Sequence, residues 1–168
     1  LGNSHYGLED IAVMRTVPGL TIISPADCAE IFKTVEACIG HPHPVYIRLT
    51  GAINCPIVYT EDYDFQIGRA HWVIPPEDVT VISSGTTVGH SLKAIQILKE
   101  QGISAGLLNM HTIKPLDATA IADCLTIAKS VLVVEEHTRI GGLGSAVLEH
   151  INEHHDFAGK VRCYGIND

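Results

Sequence analysis

The stretch that decides the fold is Val131–Ile151, VLVVEEHTRIGGLGSAVLEHI. It opens with four apolar residues, three of them β-branched, which suits a strand buried on both faces of a sheet. It turns polar at Glu135-Glu136-His137-Thr138 and then reaches Gly141, Gly142 and Gly144. Beyond them Leu143, Val147, Leu148 and Ile151 fall at helical spacing. The reading is strand, glycine loop, helix. Such a loop can cradle a phosphate, because a helix start presents free N–H groups. The dinucleotide spacing fails, however: with Gly142 and Gly144 as its first two glycines, G-x-G-x-x-G places its third at Val147. The loop therefore reads as structural, letting the helix pack tightly on its strand.

Working outward, the same alternation recurs. Val79–Ser83 is a predicted strand, followed by a helix with Val88, Leu92, Ile95 and Leu98 inward and a stop at Gly102. Ser104–Met110 is a strand. Lys114–Asp117 is a turn with Asp117 as N-cap, and the next helix buries Ala118, Ile121, Ala122, Leu125 and Ala128. Lys160–Tyr164 closes the series as a strand. Strict alternation argues for a mostly parallel sheet covered on both faces.

Upstream, Gly7–Val17 reads as a short helix stopped by Pro18-Gly19, and Thr21–Ser24 as a strand. Asp27 is a good N-cap, and Glu30 three residues on completes an Asp version of the capping box. In that helix Cys28, Ile31, Phe32, Val35, Cys38 and Ile39 form one stripe, predicted to be buried. Val45–Leu49 is another strand. Residues 51–78 have no helical period, an acidic cluster (Glu61, Asp62, Asp64) and Pro75-Pro76, so they read as a linker, with Ile67–Ile74 a short extended piece. The expected architecture is α/β: two αβα-sandwich units with mostly parallel sheets, the first incomplete. Residues 1–50 hold too little to bury both faces of a sheet, so they are expected to lean on something else.

Bulk properties exclude several classes. The chain has 168 residues, 46% apolar and 18% charged, enough to bury a real core. A net charge of −8 argues against nucleic-acid and anionic-membrane surfaces. No apolar run approaches the ~20 residues of a membrane helix. The start, LGNSHYGLED, has neither a basic nor an apolar region of signal-peptide type. It also lacks an initiator Met, which suggests a processed chain, a trimmed one or a proteolytic piece. Five cysteines without a C-x-x-C read as reduced thiols, hence a cytoplasmic setting.

Four motifs occur in order: SHYGLEDIAVMRTVPG (4–19), ISPADCAE (23–30), NMHTIKPLD (109–117) and VVEEHTRIGGLGSAV (133–147). Together they resemble the C-terminal part of a transketolase-like, thiamine-diphosphate-dependent enzyme, above all the split form whose N- and C-terminal sections are separate chains. The likeness covers essentially the whole sequence. It implies that residues 1–50 end a pyrimidine-binding domain, that 51–78 are an interdomain linker, and that 79–168 form a transketolase C-terminal-like domain. It implies transfer of a two-carbon ketol unit from a ketose to an aldose, with the cofactor as electron sink. Thiamine diphosphate and Mg²⁺ belong to the complete enzyme. The family's activating glutamate lies upstream of the first motif, and the sequence contains no Gly-Asp-Gly. By resemblance the chain alone is expected to bind neither and to be inactive without an N-terminal section as partner. A homo-oligomer is also expected.

Two residues carry over as substrate-binding. His5 matches a histidine that faces the sugar phosphate in similar enzymes, where an imidazole suits a phosphate or hydroxyl oxygen. Arg48, at a strand end, matches an arginine of several relatives; its fork suits phosphate, though a strand-end Arg also serves in ion pairs. Gly51 stands where many relatives have a second arginine, and Leu1 where many have an acid; both departures bear on the usual phosphosugar. No catalytic, cofactor-binding or metal residue carries over. His150, His154 and His155 have metal-compatible spacing on a polar helix end, and solvation is the simpler reading. Glu135 and Glu136 read as capping or interface residues, Asp27 as a cap, and Glu9 and Asp10 as support for the first helix. Two other functions fit the same sequence: the beta subunit of a 2-oxo acid dehydrogenase, and a non-catalytic dimerisation or regulatory module.

Overall fold

The computed structural model describes residues 7–49 and 55–167. In chain order the elements are α1 (Asp10–Arg15), β1 (Thr21–Ile23), α2 (Cys28–Cys38), β2 (Val45–Ile47), β3 (His71–Ile74), β4 (Val79–Ser83), α3 (Thr87–Glu100), β5 (Gly106–Asn109), β6 (Thr112–Lys114), α4 (Ala118–Ile127), β7 (Ser130–Thr138), α5 (Leu143–His154) and β8 (Lys160–Ile166). They build two sheets, β2-β1-β6 and β3-β5-β4-β7-β8. In the second, β5, β4, β7 and β8 run parallel and β3 adds antiparallel at one edge. The α/β class and the mostly parallel sheets are as expected.

Alternation of side chains places helices on both faces of the five-stranded sheet. Ile82, Leu108, Val131 and Val133 meet α4 and α5 through Ile121, Cys124, Leu143, Val147 and Ile151. Their neighbours Val81 and Leu107 point the other way, against Val88 and Ile95 of α3. Ile11 of α1 and Ile22 of β1 belong to the first of these clusters. One core therefore runs beneath both sheets.

Two expectations are corrected. Lys114 belongs to a strand and not to the expected turn 114–117: Thr112–Lys114, given no element in the sequence, crosses to the first sheet as β6 and pairs antiparallel with β1. The first fifty residues lean on this borrowed strand, though the sheets remain separate. The α2 stripe is the second correction. Phe32, Val35 and Ile39 are 78%, 52% and 81% exposed, whereas Glu30 and Thr34 are fully buried. The helix forms with its Asp27 cap, but its polar face turns inward. The physical reason is that Glu30 finds three donors in the interior, which offset the cost of burying it. The stretch expected as a linker contributes β3 to the second sheet.

Candidate functional site

Both sheets hold α1, each at both of its ends. From the first sheet, Arg48 follows β2 and its Nε donates to Asp10 Oδ2 at 2.9 Å and Oδ1 at 3.2 Å, while Nη2 donates to Gly7 O at 2.9 Å. Tyr46 Oη of β2 donates to the same Asp10 carboxylate at 2.9 Å. Both partners of this ion pair are largely buried, so it is screened less than a surface pair. From the second sheet, Thr138 N donates to Leu8 O at 2.7 Å, and Arg15 Nη1 to Gly141 O at 2.9 Å. Arg15 also pairs with Glu149 of α5. Lys114 Nζ, on β6, donates to the carbonyls of Arg15 and Val17 at 2.8 and 2.6 Å.

Arg48 is thus placed by an ion pair at the end of β2, and its fork reaches the backbone two residues beyond His5. His5 itself lies outside the described residues. Asp10 supports the entry to α1 through Arg48 and Tyr46, and Glu9 does so through Leu8 N, which donates to its Oε2 at 2.8 Å.

The glycine loop is already filled by an anion, and that anion belongs to the chain. Glu135 Oε2 accepts from Leu143 N at 2.6 Å and Oε1 from Gly144 N at 2.9 Å. These are the free N–H groups at the start of α5. A side chain at Gly142 would collide with Glu135 Oε2 and His137 Nδ1, so close approach is what demands glycine there. Burial pushes the Glu135 carboxyl up, and the two N–H bonds oppose that push. Glu136 accepts from Thr86 Oγ1 at 2.6 Å, tying β7 to the start of α3. Glu135 is thus a cap, whereas Glu136 caps no helix and bonds a side-chain hydroxyl.

A second polar cluster escaped the sequence reading. Glu30 is fully buried and accepts from Ala26 N at 2.5 Å, from Asn109 Nδ2 at 2.8 Å and from Tyr63 Oη. Asp27 caps α2 by accepting from Glu30 N at 2.9 Å, and its other oxygen accepts from Val58 N and Tyr59 N. The capping box is therefore displaced by one: Glu30 reaches back to Ala26, not to Asp27. Burial pushes the Glu30 carboxyl up to about 7 against the donors that favour its charge. Burial, then the charge of Glu30, holds Tyr63 and Tyr59 as neutral phenols. His71 packs on Tyr63 with ring centroids 4.0 Å apart, and Phe65 stacks on His111 at 4.3 Å. Burial drives the fully buried His111 down to about 4, so it is a neutral ring. The signal in the sequence was Glu30 itself, a second acid beside a sufficient cap. His150, His154 and His155 bring their rings together with centroids 4.7 and 5.4 Å apart, yet no group of three metal-ligating side chains converges among the described residues.

The comparisons with known proteins agree across the whole length. The model of the transketolase pyrimidine-binding domain matches residues 1–53, and that of the transketolase C-terminal domain matches residues 68–168. The chain belongs to the transketolase family. It is 40% identical over its full length to a subunit of the apulose-4-phosphate transketolase of Phocaeicola vulgatus, covering 53% of that protein. It is 38% identical over 99% of its length to a putative transketolase C-terminal section of Methanocaldococcus jannaschii, covering 52% of it. A solved split-gene transketolase, described as an inactive beta4 tetramer, superposes with a TM-score of 0.90 at 34% identity, over 98% of this chain and 54% of that one. The chain spans about half the length of these transketolase relatives.

Proposed function

We propose that this chain is the C-terminal section of a thiamine-diphosphate-dependent transketolase, transferring a two-carbon ketol unit from a ketose to an aldose in assembly with an N-terminal section. The observation that carries the reading is the ordered match of both family models along one chain. In this reading residues 1–50 end the pyrimidine-binding domain, 51–78 connect, and 79–168 form the C-terminal domain.

The described residues do not fit the diphosphate and Mg²⁺ of the cofactor. The glycine-loop donors are spent on Glu135, and no metal-ligating group converges among the described residues. That half of the cofactor is assigned to the N-terminal section. What this chain supplies is the entry to α1. His5 and Arg48 face the sugar phosphate, and the bond from Arg48 to Gly7 O ties the guanidinium to the segment that carries His5. An arginine held by one carboxylate keeps its fork oriented for a second anion. Two relatives are named for a phosphorylated and a sulfonated sugar, so the substrate is assigned as a class, a ketose with an anionic end group, such as a phosphate, and an aldose acceptor. The free thiols favour a cytoplasmic enzyme.

The test is reconstitution. Mixing this chain with an N-terminal section that carries Gly-Asp-Gly, thiamine diphosphate and Mg²⁺ is expected to give ketol transfer that neither section shows alone. No transfer from two folded sections in contact overturns the proposal. Lipoyl-linked decarboxylation of a 2-oxo acid in the same mixture would reassign it to the dehydrogenase class.

A further inference from the structure

β7 buries Val131, Val133, Glu135 and His137 on one face. The first two enter the core; the last two, at the far end of the same face, meet the glycine loop and α1. His137 is fully buried. Its Nδ1 lies 2.7 Å from Thr138 O. A carbonyl only accepts, so this nitrogen carries the proton, and in the neutral ring Nε2 keeps a lone pair. Ala12 N donates to that nitrogen at 3.3 Å, across a separation of 125 residues.

Ala12 is the third residue of α1, one of the four whose N–H groups a helix cannot satisfy from within. Glu9, at the N-cap, makes no side-chain cap and accepts from Leu8 N instead. The missing cap comes from the other sheet. Its chemistry suits the place: Asp10 and Glu135 each lie 4.0 Å from the imidazole. A carboxylate cap there would face two like charges, and the bond from Ala12 N marks Nε2 as the accepting nitrogen of the ring. Gly141 fits the same contact. It sits at φ +76°, and a methyl group on it would lie 2.6 Å from Ala12 Cβ.

We infer that His137 is a positioning residue: it caps α1 from across the boundary between the sheets and so fixes the entry to that helix, residues 7–10, to which Arg48 is bonded. The part concerning substrate rests on the proposed function; the cap itself does not. The C-terminal unit, which touches no cofactor in this reading, thereby controls how Arg48, bonded to Asp10 and Gly7 O at that entry, is presented.

Residue-resolved amide exchange on the full chain tests the cap. His137→Leu removes the acceptor, and exchange at Ala12 and its neighbours in α1 is expected to speed up about tenfold, the scale of one lost hydrogen bond. β4 and β5 should keep their protection. His137→Gln, whose carbonyl can accept, should restore α1. In the reconstituted enzyme His137→Leu should raise KM for the ketose phosphate about tenfold with kcat within about twofold, and Gln should reverse it. Should His137→Leu fail to fold, Gly141→Ala, which presses on Ala12 and leaves His137 in place, is expected to loosen α1 and raise KM in the same way. Unchanged α1 exchange in the folded variant overturns the inference, and so does a fall in kcat at unchanged KM. Loss of α1 protection in a mixture where the wild type shows no ketol transfer overturns the function and leaves the cap standing.

Discussion

Glu135 and Glu30 are both buried, and burial pushes both carboxyls up, but their partners differ in reach. Glu135 takes two N–H groups eight and nine residues along the chain, at the start of the next helix. Glu30 takes an N–H four residues away, a phenol 33 residues away and an amide 79 residues away. The first is a local cap that happens to be buried. The second is a knot joining α2, the segment after β2, and β5. The difference teaches that two acids with the same burial serve different levels of structure: Glu135 closes a loop, and Glu30 closes a tertiary contact.

The largest test of the contrast is Gly142→Ala. Its methyl collides with both Glu135 and His137, so overpacking and the lost cap should together remove about 4 kcal/mol in urea unfolding. A loss under about 1 kcal/mol would show that the loop yields and that the cap is not tight.

Next comes the pH dependence of the knot. Below about 4.5 Glu30 is protonated whether the chain is folded or not; between there and about 7 only the folded chain holds the proton. Stability is thus fully present at low pH and is lost as pH rises through about 7, by at most about 3 kcal/mol. Glu30→Gln should remove that fall. His111 works in the opposite direction, its depressed basicity favouring the folded state as pH rises, and Glu135 in the same direction as Glu30. Both are common to the two proteins, so the difference between wild type and Glu30→Gln at pH 5 and pH 8 isolates Glu30. A constant difference would mean that the carboxyl stays charged throughout.

Tyr63→Phe should cost about 1–2 kcal/mol, the value of a hydrogen bond to a carboxyl. It should also raise the Glu30 titration midpoint followed by NMR, because the phenol bond favours the charged form. A lowered midpoint would show that the phenol is not Glu30's partner. The smallest effect is expected at Phe32→Ser. With 78% of the residue exposed, the change in the chain alone should stay within about 0.5 kcal/mol. A loss of 2 kcal/mol or more, the scale of a core truncation, would restore the stripe to the interior.

Much of the second sheet was legible. Val131–Val134, the glycine loop and the apolar positions of α5 follow one another in sequence, and local rules of period and capping are enough to order them. Asp27 and Asp117 were legible as caps for the same reason, since each binds an N–H three residues on. β6 was hidden because three residues carry no period, and only its partner β1, far upstream, makes it a strand. The α2 stripe misled because apolar spacing says which residues share a face, not which face turns inward. Arg48 was legible as a strand-end arginine, but its engagement with Asp10 depends on the tertiary placement of the start of α1 beside the end of β2.

By itself the sequence determined the alternation of strands and helices in the second unit, the caps at Asp27 and Asp117, and the family, because these rest on neighbours within a turn or two and on motifs read in order. Only the tertiary structure decided that Glu30 would be buried while Phe32 is not, that β6 would cross to the first sheet, and that His137 would cap a helix 125 residues away. The reason is that a buried polar group is tolerated only where partners converge on it, and that convergence is a property of the packed chain.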